Sequence, residues 1–522
     1  MSTFPRISFN GMNVDFDRHL NTLQIANKES TIINKSAVSG VAEIIDLFED
    51  VIVRAGVDRL SADLIDQLEE WYNYAKSGGL FDFIADQSLG MYLAFEGKSL
   101  LSNDGVAGTL TRATAAYVED PDTGLLVSVA ANTARFPTGK FGRGVQLQHQ
   151  RENILIKSAA FDNVAWTASS ITVDAETTEV ADPIGTNTAE KCTTTGANGT
   201  LVQTTASQVL EQSACFSVYL RSVVPGKTAV LTIKDDSGAS LKSETVTLTT
   251  KWARYSAVYV NSAVSNANNW RVEIKFTDDA SVFYIFGAML EEGTNHLNAY
   301  VPTDAAAATH DADLLVYSLT EGKDVDHYQG SICFWVKPVF SHDEDGDTIT
   351  TRLFMQFLDE NDYAVLTIYR NTSGEIDVYA TLSDGSTVSA QEEYQFDREE
   401  WIHVVVTYDL TQSTNAFVIY VNGESLNAVS DGGGLTNEIA KLVIGCNIST
   451  GAPASGVYDD IIIRKDVLTA ADVRALYGRG RAAGHRRNQF EDCVLMDPEF
   501  SPIVNQGGNV FDFEAEFTVN PT

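Results

Sequence analysis

The stretch from Trp401 to Gly423, WIHVVVTYDLTQSTNAFVIYVNG, decides how the chain is read. In its first half Ile402, Val404, Val406 and Tyr408 alternate with Trp401, His403, Val405 and Thr407. A period of two is that of a strand, whose successive side chains face opposite sides of a sheet. A polar loop follows, then the apolar run Phe417 to Val421, then Asn422-Gly423. That dipeptide tolerates the positive φ angles of a tight hairpin turn. The segment therefore predicts two antiparallel strands, with His403 a structural residue on the wetter face.

Working outward, 522 residues suggest three or four domains, and 44% apolar residues suffice for ordinary cores. The 71 acidic residues against 36 basic ones give a formal charge of −35, which repels nucleic-acid phosphates and anionic membrane surfaces alike. No nucleic-acid partner is expected. Cys192, Cys215, Cys333, Cys446 and Cys493 are odd in number and lack C-x-x-C spacing, so they read as small buried hydrophobes. The start MSTFPRISFN has no basic stretch followed by an apolar core, and no apolar run approaches spanning length. Neither a secretory leader nor membrane insertion is expected, and synthesis in a cytoplasm follows.

Residues 1–95 read as a small α+β domain. Leu64, Ile65, Leu68, Trp71, Tyr72 and Ala75 form a helical stripe, with Ser61 as its cap and Gly78-Gly79 as its stop. Residues 96–155, rich in Gly, Thr and Ala, read as an extended lead-in. Residues 156–303 carry alternating runs: Ala214 to Leu220, Trp252 to Val260, Trp270 to Phe276 and Val282 to Leu290. These predict an antiparallel sandwich with one face of each strand buried. Residues 304–480 repeat that texture and end in a short helix, capped by Thr469 with Asp472 at the third position and stopped by Gly478. Residues 481–522 form a C-terminal tail. Its last strand alternates Phe511, Phe513, Ala515, Phe517 and Val519 with acidic residues and Thr518. That strand needs a sheet to join, in its own chain or in a neighbouring subunit. The fold class expected is mainly β, with a small N-terminal α+β domain, two antiparallel sandwiches and a short C-terminal β segment.

The pattern W-x-H-V…T-Y-D…Y-V-N-G resembles the laminin-G-like, concanavalin A-type jelly roll, a fold of binding modules more often than of enzymes. Three further segments resemble a recurring module of bacteriophage tail and other virion surface proteins. One is Leu110 to Val118 with Ala130 to Phe136 and Gly144 to Leu155, ending RENIL; a second is Ser158 to Trp166, SAAFDNVAW; the third is Phe286 to Gly293 leading to Ala299 to Thr303. The second resembles the opening of a carbohydrate-binding-like sandwich. The resemblance implies a virion localisation in a tail or tail-fibre component, synthesised in the bacterial host cytoplasm. It implies an N-terminal virion-attachment domain, partners among tail, baseplate or capsid proteins, a homo-oligomer, and a cell-surface glycan as ligand. A capsid decoration or head-fibre protein, and a glycan hydrolase, are the alternatives.

The hydrolase alternative rests on Glu375-Ile-Asp377-Val-Tyr379, which resembles the first two carboxylates of a Glu-x-Asp-x-Glu catalytic strand. Tyr379 stands where the general acid belongs, so no catalysis is expected. Gly97-Lys98-Ser99 lacks the first glycine of a phosphate-binding loop, and there is no H-E-x-x-H or G-x-S-x-G. Asp343, Asp345 and Asp347, on a loop bent by Gly346, are three hard oxygen donors suited to Ca2+; a solvated acidic loop is the plainer reading. Asp459-Asp460 fits a strand that needs no metal. Tyr219 and Arg221 lie opposite Phe216, Val218 and Leu220, which offers them as a ligand patch. Trp252, Trp270, Trp335 and Trp401 are expected to fill cores or cover sheet edges.

Overall fold

The structure, a computed structural model, describes residues 6–16, 22–35, 42–60, 64–84, 88–95, 97–102, 105–175, 177–206, 213–260, 269–344, 349–383, 385–412, 415–429, 435–479, 489–495, 503–505 and 511–519. Ile402–Asp409 pairs antiparallel with Phe417–Val421, and Asn422 (φ 49°) and Gly423 (φ 85°) turn the chain into Glu424–Val429. Two consecutive positive φ angles define the tight turn expected of Asn-Gly. This hairpin lies in a sheet ordered Val145–Leu147, Gly456–Arg464, Gln329–Pro338, Ile402–Asp409, Phe417–Val421, Glu424–Val429, with Leu89–Leu93 also paired to Gly456–Arg464. The facing sheet runs Thr387–Glu393, Glu375–Thr381, Ala364–Arg370, Arg352–Leu358, Lys441–Ile444, Leu314–Ser318, Thr109–Thr111. Val404, Val406 and Tyr408 meet Phe334, Phe354, Phe357 and Val378 between the two sheets.

The other face of the hairpin is not wet. The helix Ala470–Arg479 roofs it, so Val405 packs with Cys333, Tyr420, Ile462 and Val473. His403 is 3% exposed and stacks on Trp335 at 4.8 Å, correcting its expected wetter setting. Burial pushes its imidazole pKa down to about 4. The helix begins in a reciprocal cap: the Asp472 N–H donates to Thr469 Oγ1 (3.2 Å), and the Thr469 N–H donates to Asp472 Oδ2 (3.0 Å). It continues through Gly478 to Arg479.

The chain leaves the jelly roll after Val145–Leu147, builds a second sandwich, and returns at Leu314–Ser318. One sheet of the inserted sandwich is Thr167–Ser169, Gly199–Thr204, Arg271–Phe276, Thr228–Lys234, Ser240–Thr247; the other is Ile171–Asp174, Glu190–Thr194, Val282–Glu292, Ser213–Ser222, Ala253–Val260. Phe216, Val218, Leu220, Leu231, Trp270, Ile274 and Ile285 fill its core. Cys192, Cys215, Cys333 and Cys446 are buried free thiols.

A third sheet joins the two ends of the chain. Its order is Met12–Asp15, Arg6–Phe9, Phe81–Ile84, Gln489–Leu495, Phe511–Val519, Ala42–Leu60, Thr22–Lys35, with Ile503–Asn505 on Phe511–Val519. The last strand thus pairs within its own chain. The helix Ile65–Lys76 packs Leu68, Trp71 and Ala75 on Ile7, Phe9, Phe81 and Phe83, with the Trp71 and Phe81 rings edge-on at 5.1 Å. Leu64 occupies its N-cap position with no side-chain cap; Ser61 lies outside the described residues. The architecture is therefore mainly β and nested. The terminal sheet encloses the jelly roll, and the jelly roll encloses the sandwich. The stretch read as an extended lead-in instead supplies Thr109–Thr111 and Val145–Leu147 to the two jelly-roll sheets.

Candidate ligand-binding cleft at the domain junction

Where the sandwich enters and leaves the jelly roll, the chain is stapled by buried polar groups. Arg112 Nη1 donates to Asp313 Oδ1 at 2.8 Å and Arg135 Nη2 to Asp313 Oδ2 at 2.5 Å, all three side chains fully buried. Arg112 Nη2 also donates to the carbonyls of Ala130 (2.7 Å) and Thr133 (3.0 Å), and Arg135 Nη1 to Gln148 Oε1 (2.6 Å). Such a carboxylate clamped by two guanidiniums is satisfied only while all partners remain. His310 is buried beside it. Desolvation and the Arg135 charge push its pKa down to about 4, and its Nε2 has no hydrogen-bond partner among the described residues.

One step along the chain, Asn153 Nδ2 donates to the carbonyls of Ala288 (3.0 Å) and Val301 (2.8 Å), while its Oδ1 accepts the Leu155 and Leu290 N–H groups. Ser158 Oγ bonds Tyr300 Oη at 2.7 Å and accepts the Thr303 N–H at 2.9 Å. Glu190 accepts the N–H groups of Phe161 (2.7 Å) and Asp162 (2.9 Å), fixing the turn in which the Phe161 and Trp166 rings lie 4.8 Å apart. The three sequence segments that resemble the virion module thus meet in space. Their distinctive residues hold the sandwich to its stem rather than face solvent.

Beside this stem opens a cleft of about 540 Å³, lined by the sandwich, the jelly roll and the small hairpin of Ala116–Glu119 with Leu126–Val129. Tyr117, Tyr219, Trp252 and Tyr300 contribute rings; Lys337 and Glu399 come from the jelly roll. The rings of Tyr117 and Tyr300 are 5.9 Å apart, those of Tyr219 and Tyr300 6.2 Å. Gly287 sits beneath them at φ 63°, where an added Cβ would lie 3.2 Å from both Tyr219 and Tyr300. Trp252 Nε1 donates to the Ala181 carbonyl at 2.7 Å, which fixes the half-buried indole. Arg254 lies 5.6 Å over the Tyr219 ring and donates to Ser217 Oγ at 2.9 Å.

Of the charged residues that line the cleft, Glu119, Asp182, Arg254, Lys337 and Glu399, one opposite-charge pair forms among the described residues. Lys337 pairs with Glu399 at 3.0 Å, and Asp182 accepts the N–H and hydroxyl groups of Thr186 and Thr188. What remains is a set of aromatic faces beside polar groups, the combination that holds a neutral polyhydroxylated ligand. Of the predicted patch, Tyr219 lines the cleft. Arg221 instead lies between the rings of Trp252 (6.0 Å) and Tyr284 (5.6 Å). Trp252 is expected in a core or at a sheet edge; Tyr117 and Tyr300 fall in the segments that resemble the virion module and Arg254 in the alternating run from Trp252, and none of the three is read from sequence as a ligand contact. They come from separate strands and loops, so their convergence is tertiary.

Asp343 Oδ1 accepts the Ser341 hydroxyl at 2.9 Å; Asp345 and Asp347 lie outside the described residues. The adjoining Glu344 is bound by Arg352 (2.9 Å) and Arg370 (2.5 Å). Among the described residues, Glu321, Asp326 and His327 are the group of carboxylate and imidazole donors close enough to share a cation. Glu321 Oε1 is bonded to His327 Nδ1 at 3.0 Å. On the suspected catalytic strand, Asp377 accepts the hydroxyls of Tyr369 (2.9 Å) and Ser389 (2.7 Å), and Glu375 accepts Asn371 Nδ2 (2.8 Å). Asp459 accepts the Phe141 N–H, and Asp460 accepts the Tyr92 hydroxyl. Each serves as an internal acceptor.

Residues 315–474 match the family model of the Concanavalin A-like lectin/glucanases superfamily, so this part of the jelly roll is a concanavalin A-like domain. Among solved structures, the botulinum neurotoxin type G receptor-binding domain is similar at 15% identity over 32% of this chain and 40% of that chain, with a TM-score of 0.26. The native heptameric SAP-like pentraxin from Limulus polyphemus is similar at 17% identity over 29% of this chain and 70% of that one, TM-score 0.23. The botulinum neurotoxin serotype D ligand-binding domain in complex with N-acetylneuraminic acid gives 15%, 32%, 40% and 0.25. The chain spans about 40% of the length of the neurotoxin domains it matches. At this similarity they bear on no ligand or activity of this chain. No curated protein matches the sequence.

Proposed function

We propose that this chain is a bacteriophage virion structural protein, a tail or tail-fibre component, that binds a neutral cell-surface glycan in the cleft between its sandwich and its jelly roll. The observation that carries the binding reading is the cleft itself, with the half-buried rings of Tyr117, Tyr219 and Trp252 over the buried Tyr300, while Lys337 and Glu399 neutralise one another. Aromatic faces stack on the apolar faces of pyranose rings, and the flanking hydroxyls and amides orient the sugar hydroxyls. The virion assignment is supported by the ordered motifs at 110–155, 158–166 and 286–303.

Binding without hydrolysis is the reading that the carboxylates favour. Glu375 and Asp377 are engaged by Asn371, Tyr369 and Ser389, and Tyr379 offers no acid at the third position. Mass spectrometry of purified particles tests the virion assignment: the protein is expected among the structural components, and its absence would sink that assignment. Titration of the full chain with fragments of host-surface polysaccharide tests the cleft. Saturable binding that Trp252→Ala weakens on the order of tenfold is expected; binding untouched by Trp252→Ala and Tyr219→Ala would place the ligand elsewhere.

A further inference from the structure

The terminal sheet ends in two unusually long strands, Thr22–Lys35 and Ala42–Leu60. They pair along their whole length, from Thr22 with Gly56 to Lys35 with Ala42. The sheet behind them is shorter: among the described residues, Phe511–Val519 pairs with Leu60 back to Val51. Residues 42–50, with residues 28–35 opposite, therefore project beyond the sheet as a two-stranded ribbon. At about 3.3 Å per residue the overhang is on the order of 27 Å long. Among the described residues neither of its outer edges has a pairing partner.

An isolated two-stranded ribbon is marginal in water, and open edges with unpaired N–H and C=O groups template pairing with another chain. The overhang is also rich in large apolar residues: Ile32 and Ile33 on one strand, Ile44, Ile45, Leu47 and Phe48 on the other. Its two strands differ in charge. Lys28 and Lys35 outweigh Glu29 on residues 28–35, whereas residues 42–50 carry Glu43, Asp46, Glu49 and Asp50 with no basic residue.

We infer that the ribbon formed by residues 28–35 and 42–50 is an assembly arm, whose basic-strand edge pairs with the acidic-strand edge of the ribbon of a second copy of this chain, so that copies close into a ring. The charge asymmetry selects this arrangement. A two-fold dimer sets each edge against itself, acidic beside acidic or basic beside basic, whereas a head-to-tail contact sets opposite charges together and closes by rotation. The ring places the concanavalin A-like and sandwich domains of every copy around one axis, and it is independent of the glycan reading.

Light scattering on the full chain eluting from a sizing column tests this. The expected result is one closed oligomer of three or more copies at micromolar concentration, shifting towards monomer as salt is raised. The triple reversal Glu43→Lys, Asp46→Lys, Glu49→Lys is expected to elute as monomer with the far-ultraviolet dichroism and melting of the β domains unchanged. Adding Lys28→Glu and Lys35→Glu to that chain restores opposite edges and is expected to restore the oligomer. A wild-type monomer or dimer, or an oligomer that survives the triple reversal, would overturn the inference. If the triple variant misfolds, recovery of the oligomer in the five-fold variant still supports it, and a folded five-fold variant that stays monomeric overturns it.

Discussion

The two sides of the domain junction are built from opposite materials. The stem is sealed by charge: Arg112, Arg135 and Asp313 have no exposed side-chain surface, and Asn153 spends both ends of its amide on four backbone groups. The cleft a few residues away is walled by rings, and Trp252 and Tyr219 remain half-buried. A buried polar network fixes one geometry, because each partner lost leaves a costly orphan. Aromatic walls with accessible faces tolerate a guest. The most recognisable sequence motifs fix the stem and also bring Tyr117 and Tyr300 to the cleft, whereas Tyr219 and Trp252 lie outside them.

The sharpest way to break the stem is Asp313→Ala, which strands two buried guanidiniums. A loss of about 3–5 kcal/mol of stability is expected, read as a shifted denaturant midpoint. Asn153→Ala removes four hydrogen bonds in the same region and should cost about 2–3 kcal/mol, with the sandwich melting first in limited proteolysis. If either variant is as stable as wild type, the stem is not what holds the domains.

The stem also titrates. His149, next to Arg151 and Arg352, and His310, next to Arg135, are held neutral by burial, each with its pKa pushed down to about 4. Below the unfolded value near 6.5 the unfolded chain takes up protons that the native chain refuses, so their contribution to stability is complete above pH 6.5 and is lost as pH falls towards 4. Glu291 works in the other direction: burial pushes its carboxyl up to about 7, so its term weakens as pH rises from about 4.5 towards 7. Replacing His310 with Gln isolates one histidine. The slope of stability against pH between 6.5 and 4 should shallow by about 1.4 kcal/mol per pH unit. An unchanged slope would show that His310 is protonated in the native state.

On the cleft side smaller effects are expected. Trp252→Ala should weaken glycan binding by about 1–2 kcal/mol, on the order of tenfold, with little change in melting temperature. Glu375→Gln should leave both binding and stability nearly unchanged, and reducing-end release from host polysaccharide should stay at background in wild type and variant alike.

The hairpin at 402–421 was legible because its alternation and its Asn-Gly turn are local. Its second buried face was not, since Val405 and His403 are covered only when the helix Ala470–Arg479 folds back over them. The alternation of Phe511 to Val519 announced a strand, but its partner, residues 51–60, lies at the other end of the chain. The three-residue strands Thr109–Thr111 and Val145–Leu147 are too short for any period, and they are defined by pairing with Leu314–Ser318 and Gly456–Arg464. The cleft was legible only at Tyr219. Tyr117, Trp252 and Tyr300 meet there because of the nesting, and no spacing in the sequence encodes that.

The most direct test is a crystal structure of the full chain soaked with oligosaccharides from a host surface polysaccharide that it binds in solution. Sugar density is expected stacked on Trp252 and Tyr219, between the sandwich and the strand Gln329–Pro338 that carries Lys337. Sugar density confined to another face, with the cleft holding only solvent, would contradict binding in the cleft.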